Sequence, residues 1–293
     1  MRFSLILSTK HRVQELKRFL ESLAAQTCAD FELILIDQNT DDRLAELVKF
    51  YSQKFPIIHI KQPSPGLSRA RNQGLQHVKG ELFGFPDDDC IYPPDFLGKV
   101  SEFFSRDSAW GGLIINVLDL ESDKEAMLHS PESAGVVDYD KGWIVGMTAA
   151  LFYRSEFAKV QFDENMGPGT PWAGAEDVDY LYSCLDAGAK TYFDPAIVIR
   201  HPTPTKLYSI SQAIRREYNH GRGAGFLMRK SKFPLSKVLW LMTNPLIYTP
   251  IFIFQGRVRA AICFPGISLG RAQGYFGSWK MPQKALLQVL KHN

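Results

Sequence analysis

The stretch Gly80–Pro94, GELFGFPDDDCIYPP, decides the fold prediction. It opens with Leu82–Phe85, apolar and aromatic residues that are typical of a buried strand, and it ends in three consecutive carboxylates, Asp87–Asp89. A proline pair then permits a helix to begin at Asp95. The carboxylates are therefore predicted at the carboxyl end of a strand. In open α/β sheets, ligands bind at this edge because loops and helix amino termini converge there.

Two interpretations of the three acids stay open from these residues alone. Adjacent carboxylates repel one another, which is tolerable in water or around a hard cation such as Mg²⁺ or Mn²⁺. The acids could therefore bind a divalent cation. They could equally form a solvated turn that caps the helix at Asp95, because acidic caps are common and need no ligand.

Composition indicates an ordinary globular protein: the chain has 293 residues, 45% of them hydrophobic and 22% charged, and a net charge of +3. This small charge gives no indication of nucleic-acid binding. The four cysteines lie far apart without a C-x-x-C pair, so neither a zinc site nor a disulfide framework is indicated, and a reducing cytoplasm fits. The apolar stretch at the amino terminus is too short for a signal peptide and is expected to be the first strand.

The first hundred residues alternate apolar runs with segments of helical spacing. This pattern predicts an α/β fold with a mainly parallel sheet and helices on both faces. The predicted strands are Phe3–Leu7, Phe31–Ile36, Ile57–Ile60 and Leu82–Phe85. Further strands are expected at Leu113–Leu120, Val145–Tyr153, Lys190–Phe193 and Ile197–Arg200, with a loop or flap on the acceptor side at Asp119–Ser133.

Polar residues follow the ends of three predicted strands. Thr9 and Arg12 follow the first, Asp37 closes the second and Asp87–Asp89 close the fourth, while Arg71 lies on the helix between. Such a rim can hold a nucleoside diphosphate, with the arginine and a metal opposing the phosphate charge. The loop after the first strand, STKHR, contains no glycine, which excludes the phosphate loops of dinucleotide-binding Rossmann domains and nucleotidyltransferases.

The segments STKHR, LILIDQNTDD, GLSRARNQGL, GELFGFPDDDCIYPPDFL and GAEDVDYLYSCLDAG, in this order, resemble the inverting family 2 glycosyltransferases of the Rossmann-like GT-A fold. The resemblance covers about residues 1–205, the expected catalytic domain. The acidic cluster matches the D-x-D motif of the family. The resemblance implies that Asp89 coordinates a divalent cation, Mn²⁺ or Mg²⁺, which bridges the diphosphate of a nucleoside-diphosphate sugar, while Asp87 lies toward the ribose and Asp88 belongs to the donor site.

Other site residues also come from the resemblance. Thr9 and Asp37 match positions that hold the nucleoside, and Arg71 matches one near the diphosphate. The chain departs from the family at Asp37–Thr40, DQNT in place of D-D-G-S or D-N-G-S, which leaves the base contact and hence the nucleotide open. Cys90 stands where the family often has another acid, and we expect a small buried residue there because the preferred metal takes oxygen ligands.

The segment GPGTPWAGAEDVDYLYSCLDAG carries the expected acceptor side. Its helix is predicted over Glu176–Ala187. By resemblance Asp177 is the general base and Glu176 orients the acceptor or the helix start, although an acid in a first helical turn is also favoured by the helix dipole alone. Trp172 could stack on a sugar or fill the core as a packing residue. His201, which follows the last strand, could be structural or could complete the metal shell as in some GT-A enzymes.

The last part of the chain, residues 206–293, is predicted as a helical, partly apolar appendage. Val238–Phe254 is almost wholly apolar, but it is short of the roughly 20 residues that span a bilayer and is interrupted by Pro245 and Pro250. An uninterrupted helix is not expected. The segment could be a helical hairpin in the membrane interface, anchored by flanking basic and aromatic residues, or a buried helical subdomain.

The sequence therefore predicts an inverting, metal-dependent glycosyltransferase that acts on a glycan or lipid-linked acceptor of bacterial polysaccharide synthesis. It is expected in the cytoplasm, peripheral at the inner face of the cell membrane. The absence of Q-x-x-R-W, the signature of processive synthases, favours addition of one sugar per encounter. The alternative is a non-catalytic, membrane-associated glycan-binding protein on the same fold. The retention of both the Asp87–Asp89 cluster and the Glu176–Asp177 pair favours the enzyme.

Overall fold

A computed structural model describes residues 1–122, 133–202 and 208–277. By its contacts the chain divides into two compact units. The first comprises Met1–Phe162 and Tyr180–Pro204, and the second comprises Asp163–Asp179 and Thr205–Asn293. The segment Asp163–Asp179, which the sequence analysis placed within residues 1–205, thus groups with the carboxyl-terminal helices. The domain boundary at residue 205 stays a prediction.

A mixed sheet forms the centre of the first unit. In the described residues it has eight strands in the order β3-β2-β1-β4-β7-β5-β8-β6. Strands β1, β2, β3 and β4 are mutually parallel, β5 is parallel to β8, and β7 is antiparallel to both β4 and β5. The predicted α/β fold with a mainly parallel sheet is therefore confirmed. The strands are β1 Phe3–Thr9, β2 Phe31–Asp37, β3 Ile57–Lys61, β4 Leu82–Gly84, β5 Gly112–Asp119, β6 Gly135–Val136, β7 Leu151–Arg154 and β8 Thr191–His201.

The helices around this sheet bury apolar stripes at helical spacing, as in α1, where Leu16, Phe19, Leu20 and Leu23 are buried. Helix α4 begins directly after Asp95, as the proline pair predicted. The core of the unit consists of strand side chains such as Phe3, Leu5, Phe83 and Phe152, which are fully buried. The helices are α1 Gln14–Ala24, α2 Ala45–Tyr51, α3 Leu67–Leu75, α4 Phe96–Arg106, α5 Tyr139–Val145 and α6 Glu176–Asp186.

Two strand predictions were wrong in detail. Val145–Tyr153 is not one strand, because α5 ends at Val145 and β7 begins only at Leu151; a short apolar run does not distinguish the end of a helix from a strand. Lys190–Phe193 and Ile197–Arg200 belong to a single strand, β8. Its pairing with β5 jumps from Asp194 to Val198, so a bulge accommodates the intervening residues. The expected loop Asp119–Ser133 lies mostly outside the described residues.

The second unit contains three long helices: α7 Ile210–Lys230, α8 Leu235–Phe254 and α9 Val258–Gly277. The expectation that Pro245 and Pro250 interrupt the apolar segment was wrong, because both lie inside α8. Pro245 has no N–H to donate to the carbonyl of Leu241. That carbonyl instead accepts a hydrogen bond from Arg271 Nη1 of α9, which also contacts Asn244 Oδ1 at 3.2 Å. Arg271 of α9 therefore compensates for the missing N–H of Pro245 in α8.

Glycines allow α7 and α9 to touch through their backbones. A Cβ atom at Gly225 would lie 2.0 Å from the carbonyl oxygen of Arg271, and one at Gly274 would lie 2.0 Å from that of Arg222. Only glycine fits at such a distance. The glycine-rich GRGAG of α7 is thus a helix-packing surface.

Candidate active site

The carboxyl ends of β1, β2, β4 and β8 lie at the same edge of the sheet, because the intervening β7 is antiparallel to both β4 and β5. The residues after β4 are joined to β8 by a pair of backbone hydrogen bonds between Ile91 and Arg200, 2.8 and 3.0 Å long. This bridge brings Asp89 and His201 together. The sheet edge therefore gathers the acidic cluster, Thr9, Asp37 and His201, as the sequence predicted for strand ends.

Asp88 is directed into the protein. Its Oδ2 accepts a hydrogen bond from Thr9 Oγ1 at 2.6 Å, and its Oδ1 lies 2.8 Å from Arg12 Nη1. Burial raises the pKa of Asp88 to about 6, although Thr9 and Arg12 stabilise the charged form. Thr9 and Asp88, both predicted in the donor site, thus bind each other and hold the loop after β1.

Asp89 contacts Arg12 through Oδ2, and His201 Nε2 lies 3.2 Å from its Oδ1. Burial raises the pKa of Asp89, but the imidazole of His201 and the guanidinium of Arg12 outweigh this and hold it below the usual value. For His201 the signs are reversed: burial lowers the pKa of the imidazole, but Asp89 and Asp87 outweigh this effect and raise the pKa above its ordinary value. Arg12, which the sequence analysis noted but did not assign, is therefore a central residue of this cluster.

The cluster has donor atoms that fit a divalent cation. Ligand atoms of Asp89, Cys90 and His201 lie within 4.8 Å of one another. Asp89 Oδ1 is buried and accepts no hydrogen bond of good geometry from the described residues. His201 Nδ1 is engaged by the carbonyl of Pro202 at 2.7 Å, which leaves Nε2 for a metal. Burial raises the pKa of the Cys90 thiol, which matches the small buried residue expected there, while Asp89 and His201 offer a carboxylate oxygen and an imidazole nitrogen.

Asp87 is paired from the opposite side by Arg71 of α3. Arg71 Nη2 lies 3.3 Å from Asp87 Oδ1, and its guanidinium lies over the ring of Phe162, 5.3 Å from the centroid. Arg71 is buried, whereas Asp87 is half-buried. The arginine is therefore held in a fixed position beside the cluster, where it can face a phosphate group.

Asp37 lies fully buried at the end of β2 and accepts hydrogen bonds on both oxygens. Asn39 donates to Oδ1, while His59 Nε2 and Lys61 Nζ lie 3.0 and 3.1 Å from Oδ2. The sequence analysis missed His59 and Lys61. Lys61 pairs with Asp37 in the parallel register of β2 and β3, so its position at the end of the third predicted strand was the available signal.

Within the second unit, the segment Asp163–Asp179 is shaped by α7. Trp172 is 6% exposed and stacks on Phe226, with ring centroids 4.7 Å apart and an interplanar angle of 5°. Arg222 Nη2 donates to the carbonyl of Pro171 at 2.9 Å. Gly223 touches Gly174 so closely that a Cβ would lie 1.9 Å from its carbonyl oxygen. Trp172 is thus buried within this unit, which favours the packing alternative, and its acceptor role stays a prediction.

Lys230, at the end of α7, pairs with two buried carboxylates of the same segment. Its Nζ lies 3.0 Å from Asp163 Oδ2 and 2.9 Å from Asp179. These pairs raise the pKa of Lys230 against the effect of burial, and the pKa of Asp163 is lowered in the same way. Glu176 and Asp177 lie in the first turn of α6, together with Asp179. Lys230 therefore fixes the turn that carries the predicted base.

Comparison with known proteins gives one family. The family model "Glycosyl transferase family 2" matches residues 4–157. Among curated proteins, the succinoglycan biosynthesis protein ExoW of Rhizobium meliloti is 27% identical over 234 residues, which cover 70% of this chain and 71% of the relative. Another curated relative is matched over only 53% of its own length, so the chain spans about half of that protein.

Solved structures share the fold at low sequence identity. TarS of S. aureus, solved in complex with UDP-GlcNAc, has a TM-score of 0.58 and 16% identity, and the match covers 94% of this chain and 92% of that one. The mannosyltransferase PcManGT of Pyrobaculum calidifontis, solved with GDP-Man and Mn²⁺, has a TM-score of 0.60 and 16% identity over 99% of this chain and 79% of that one. At such identity these matches show the fold alone.

We predict that Lys230→Met lowers the free energy of unfolding by about 3 kcal/mol at neutral pH, because two buried carboxylates lose their counter-ion. The pKa of Asp163 is lowered by folding, so its pairing adds stability above about pH 4 and this contribution is lost as the pH falls through the lowered pKa. Thermal denaturation should therefore show a gap between parent and variant that narrows on acidification. The matched control is Lys232→Met, which replaces an exposed lysine. An equal loss in both variants would contradict the pairing.

Proposed function

Because the chain belongs to glycosyl transferase family 2, we propose that it transfers a sugar, with inversion, from a nucleoside-diphosphate sugar to a hydroxyl of a glycan or lipid-linked acceptor in bacterial polysaccharide synthesis. The observation that carries the proposal is the charge arrangement at the sheet edge. Asp87–Asp89 face Arg12, Arg71 and His201 there. A diphosphate is bound by metal ions and by arginines in fixed positions, because both oppose its negative charge.

On the donor side, we assign Asp89 and His201 to a divalent cation, Mn²⁺ or Mg²⁺. A bound cation would offset the charge of the departing diphosphate. Arg71, fixed against Phe162, faces the same phosphates, and Asp87 lies toward the ribose. Thr9 and Asp88 position the loop after β1, while Asp37 binds the nucleoside. TarS and PcManGT were solved with UDP-GlcNAc and GDP-Man, which supports a nucleotide sugar as donor and leaves both nucleotides to be tested.

On the acceptor side, we assign the general base to Asp177, with Glu176 and Trp172 orienting the acceptor. An inverting transfer needs one base, which removes the proton of the acceptor hydroxyl as its oxygen attacks the anomeric carbon in line. A carboxylate in the first turn of a helix is stabilised by the dipole and by the free N–H groups there. The ion pairs of Lys230 keep this turn in place.

The first prediction of the proposed function concerns the cation. Asp89→Ala should abolish metal-dependent binding of UDP and GDP in calorimetry, because the cation loses its main carboxylate and the diphosphate its counter-charge. The fold should survive. Asp95→Ala is the matched control, since this exposed aspartate pairs with Lys99 on the surface of α4. If Asp89→Ala binds Mn²⁺ and nucleotide as tightly as the parent, the metal assignment is wrong.

The second prediction concerns the base. Asp177→Asn keeps the size of the side chain but removes the proton acceptor, so turnover with a competent acceptor should fall by about 10²–10⁴-fold. Donor affinity measured by calorimetry should stay unchanged. Asp186→Asn, at the other end of α6, should retain turnover. Near-normal turnover of Asp177→Asn would move the base to Glu176, and joint loss of turnover and donor affinity would make Asp177 a structural residue.

The carboxyl-terminal helices support a membrane surface as a partner. Eleven lysines and arginines and no acid follow Glu217, whereas the preceding residues carry 31 acids against 23 basic side chains. One helix of the described chain, Leu235–Phe254, is long and apolar enough to cross a membrane, and 22% of its most apolar window is buried. Where α8 turns into α9, Phe254 is 97% exposed, and Ile253 and Val258 are exposed beside it. Arg257 and Arg259 lie on either side of Val258. Apolar side chains next to cations are typical of a segment that binds an anionic lipid surface.

We therefore expect the protein at the cytoplasmic face of the cell membrane, with this turn in the interface. Full-length protein should sediment with vesicles containing phosphatidylglycerol, and added salt should weaken the binding. Phe254→Asp should abolish it, whereas Phe50→Asp, a change at another exposed phenylalanine, should not. A parent that ignores vesicles, or a Phe254→Asp variant that instead dissociates a dimer in light scattering, would contradict the membrane assignment.

A further inference from the structure

Arg12 spans two carboxylates of the acidic cluster from the solvent side. Its Nη1 lies 2.8 Å from Asp88 Oδ1 and also contacts Asp89 Oδ2. The arginine side chain is 45% exposed, whereas those of Asp88 and Asp89 are 7% and 11% exposed. The cationic partner of these pairs is thus the one that is free to move, because the carboxylates are enclosed by the protein.

The backbone that carries Arg12 is held firmly. His11 has a φ of 64°, in the left-handed region, and its N–H donates to Asn39 Oδ1 at 2.7 Å. Thr9 Oγ1 donates to Asp88 on the other side. Residues other than glycine adopt this conformation uncommonly, and here the hydrogen bond from the His11 N–H to Asn39 holds it. The loop therefore places the Arg12 backbone, and only the side chain can change partners.

Arg12 and a divalent cation need the same carboxylate. The proposed function gives Asp89 to the cation, and a guanidinium beside a divalent cation is repelled by it. Asp88 is also bound by Thr9, and it can keep its contact with Arg12 when Asp89 binds the cation instead. A guanidinium released at this edge matches the geometry of phosphate oxygens.

We propose that Arg12 is a donor-binding residue that exchanges partners. It pairs with Asp89 as described above, yields Asp89 when a cation binds, and then contacts the diphosphate of the donor. This inference rests on the proposed function. Arg12 thus weakens binding of the cation alone and strengthens binding of the donor.

The test measures Mn²⁺ binding by the electron paramagnetic resonance signal of free Mn²⁺, first without nucleotide and then with UDP or GDP. Arg12→Gln should bind Mn²⁺ alone about threefold or more tightly than the parent, which corresponds to loss of one part-exposed competing ion pair. The same variant should bind UDP or GDP in saturating Mn²⁺ about tenfold more weakly. Arg12→Lys keeps the charge but not the paired N–H groups, so both of its affinities should lie between those of the parent and those of Arg12→Gln.

The matched control is Arg2→Gln, at the opposite end of β1, where the arginine pairs with Glu81. It should leave both affinities unchanged. If Arg12 is merely structural, its replacement lowers both affinities and the melting temperature, and that result overturns the proposal. Unchanged or weaker Mn²⁺ binding by a folded Arg12→Gln or Arg12→Lys variant also overturns it. A parent that binds no Mn²⁺ refutes the metal assignment and the exchange together, whereas Mn²⁺ binding that Asp89→Ala abolishes and Arg12→Gln leaves unchanged refutes the exchange alone.

Discussion

Charge compensation of Asp87–Asp89 is the constraint on which the functional edge of the sheet depends. Three carboxylates on consecutive residues repel one another, and partial burial strengthens this repulsion because the local dielectric is low. The acids are met by basic side chains from three different elements: Arg71 from α3, Arg12 from the loop after β1, and His201 from the end of β8. The cluster can therefore form only where these elements converge. The parallel strand order and the bridge between Ile91 and Arg200 supply that convergence.

The sequence predicted the strand ends that carry the site, because apolar runs and the residues that stop them are local features. Thr9, Asp37 and Asp87–Asp89 were assigned to one edge on this basis, and the structure brings them there together with His201. The partners of these residues were not predictable in the same way. The position of β7 between β4 and β5 separates β8 from β4 in the sheet, so the contact of His201 with Asp89 depends on long-range topology. That Thr9 and Arg12 bind Asp88 likewise depends on the directions of these side chains, which no local sequence pattern encodes.

In the second unit, tertiary packing overrides what the local sequence pattern predicted. Prolines in α8 indicated a break, yet the helix runs through both, and Arg271 of α9 satisfies the carbonyl that Pro245 leaves without a donor. The glycines of α7 mark close backbone contacts, with Gly174 and with α9, whose partners lie far away in sequence. A consequence concerns truncation: removal of α7 would also remove the surface on which Trp172, Pro171 and Asp179 rest. The carboxyl-terminal helices are therefore part of the structure that presents Asp177, and they cannot be treated as a separable anchor.

If the sheet edge binds a cation and a donor as proposed, its charge balance links the two binding events. Three carboxylates facing two guanidinium groups leave little net negative charge for a lone divalent cation. The diphosphate of a donor would restore the balance, because its oxygens would take Arg12, Arg71 and the cation as partners. Cation and donor would then raise each other's affinity, and this coupling would be reciprocal by linkage. As the bond to the sugar breaks in the proposed transfer, negative charge would grow on the diphosphate, so the same groups would bind the departing state more strongly than the bound donor.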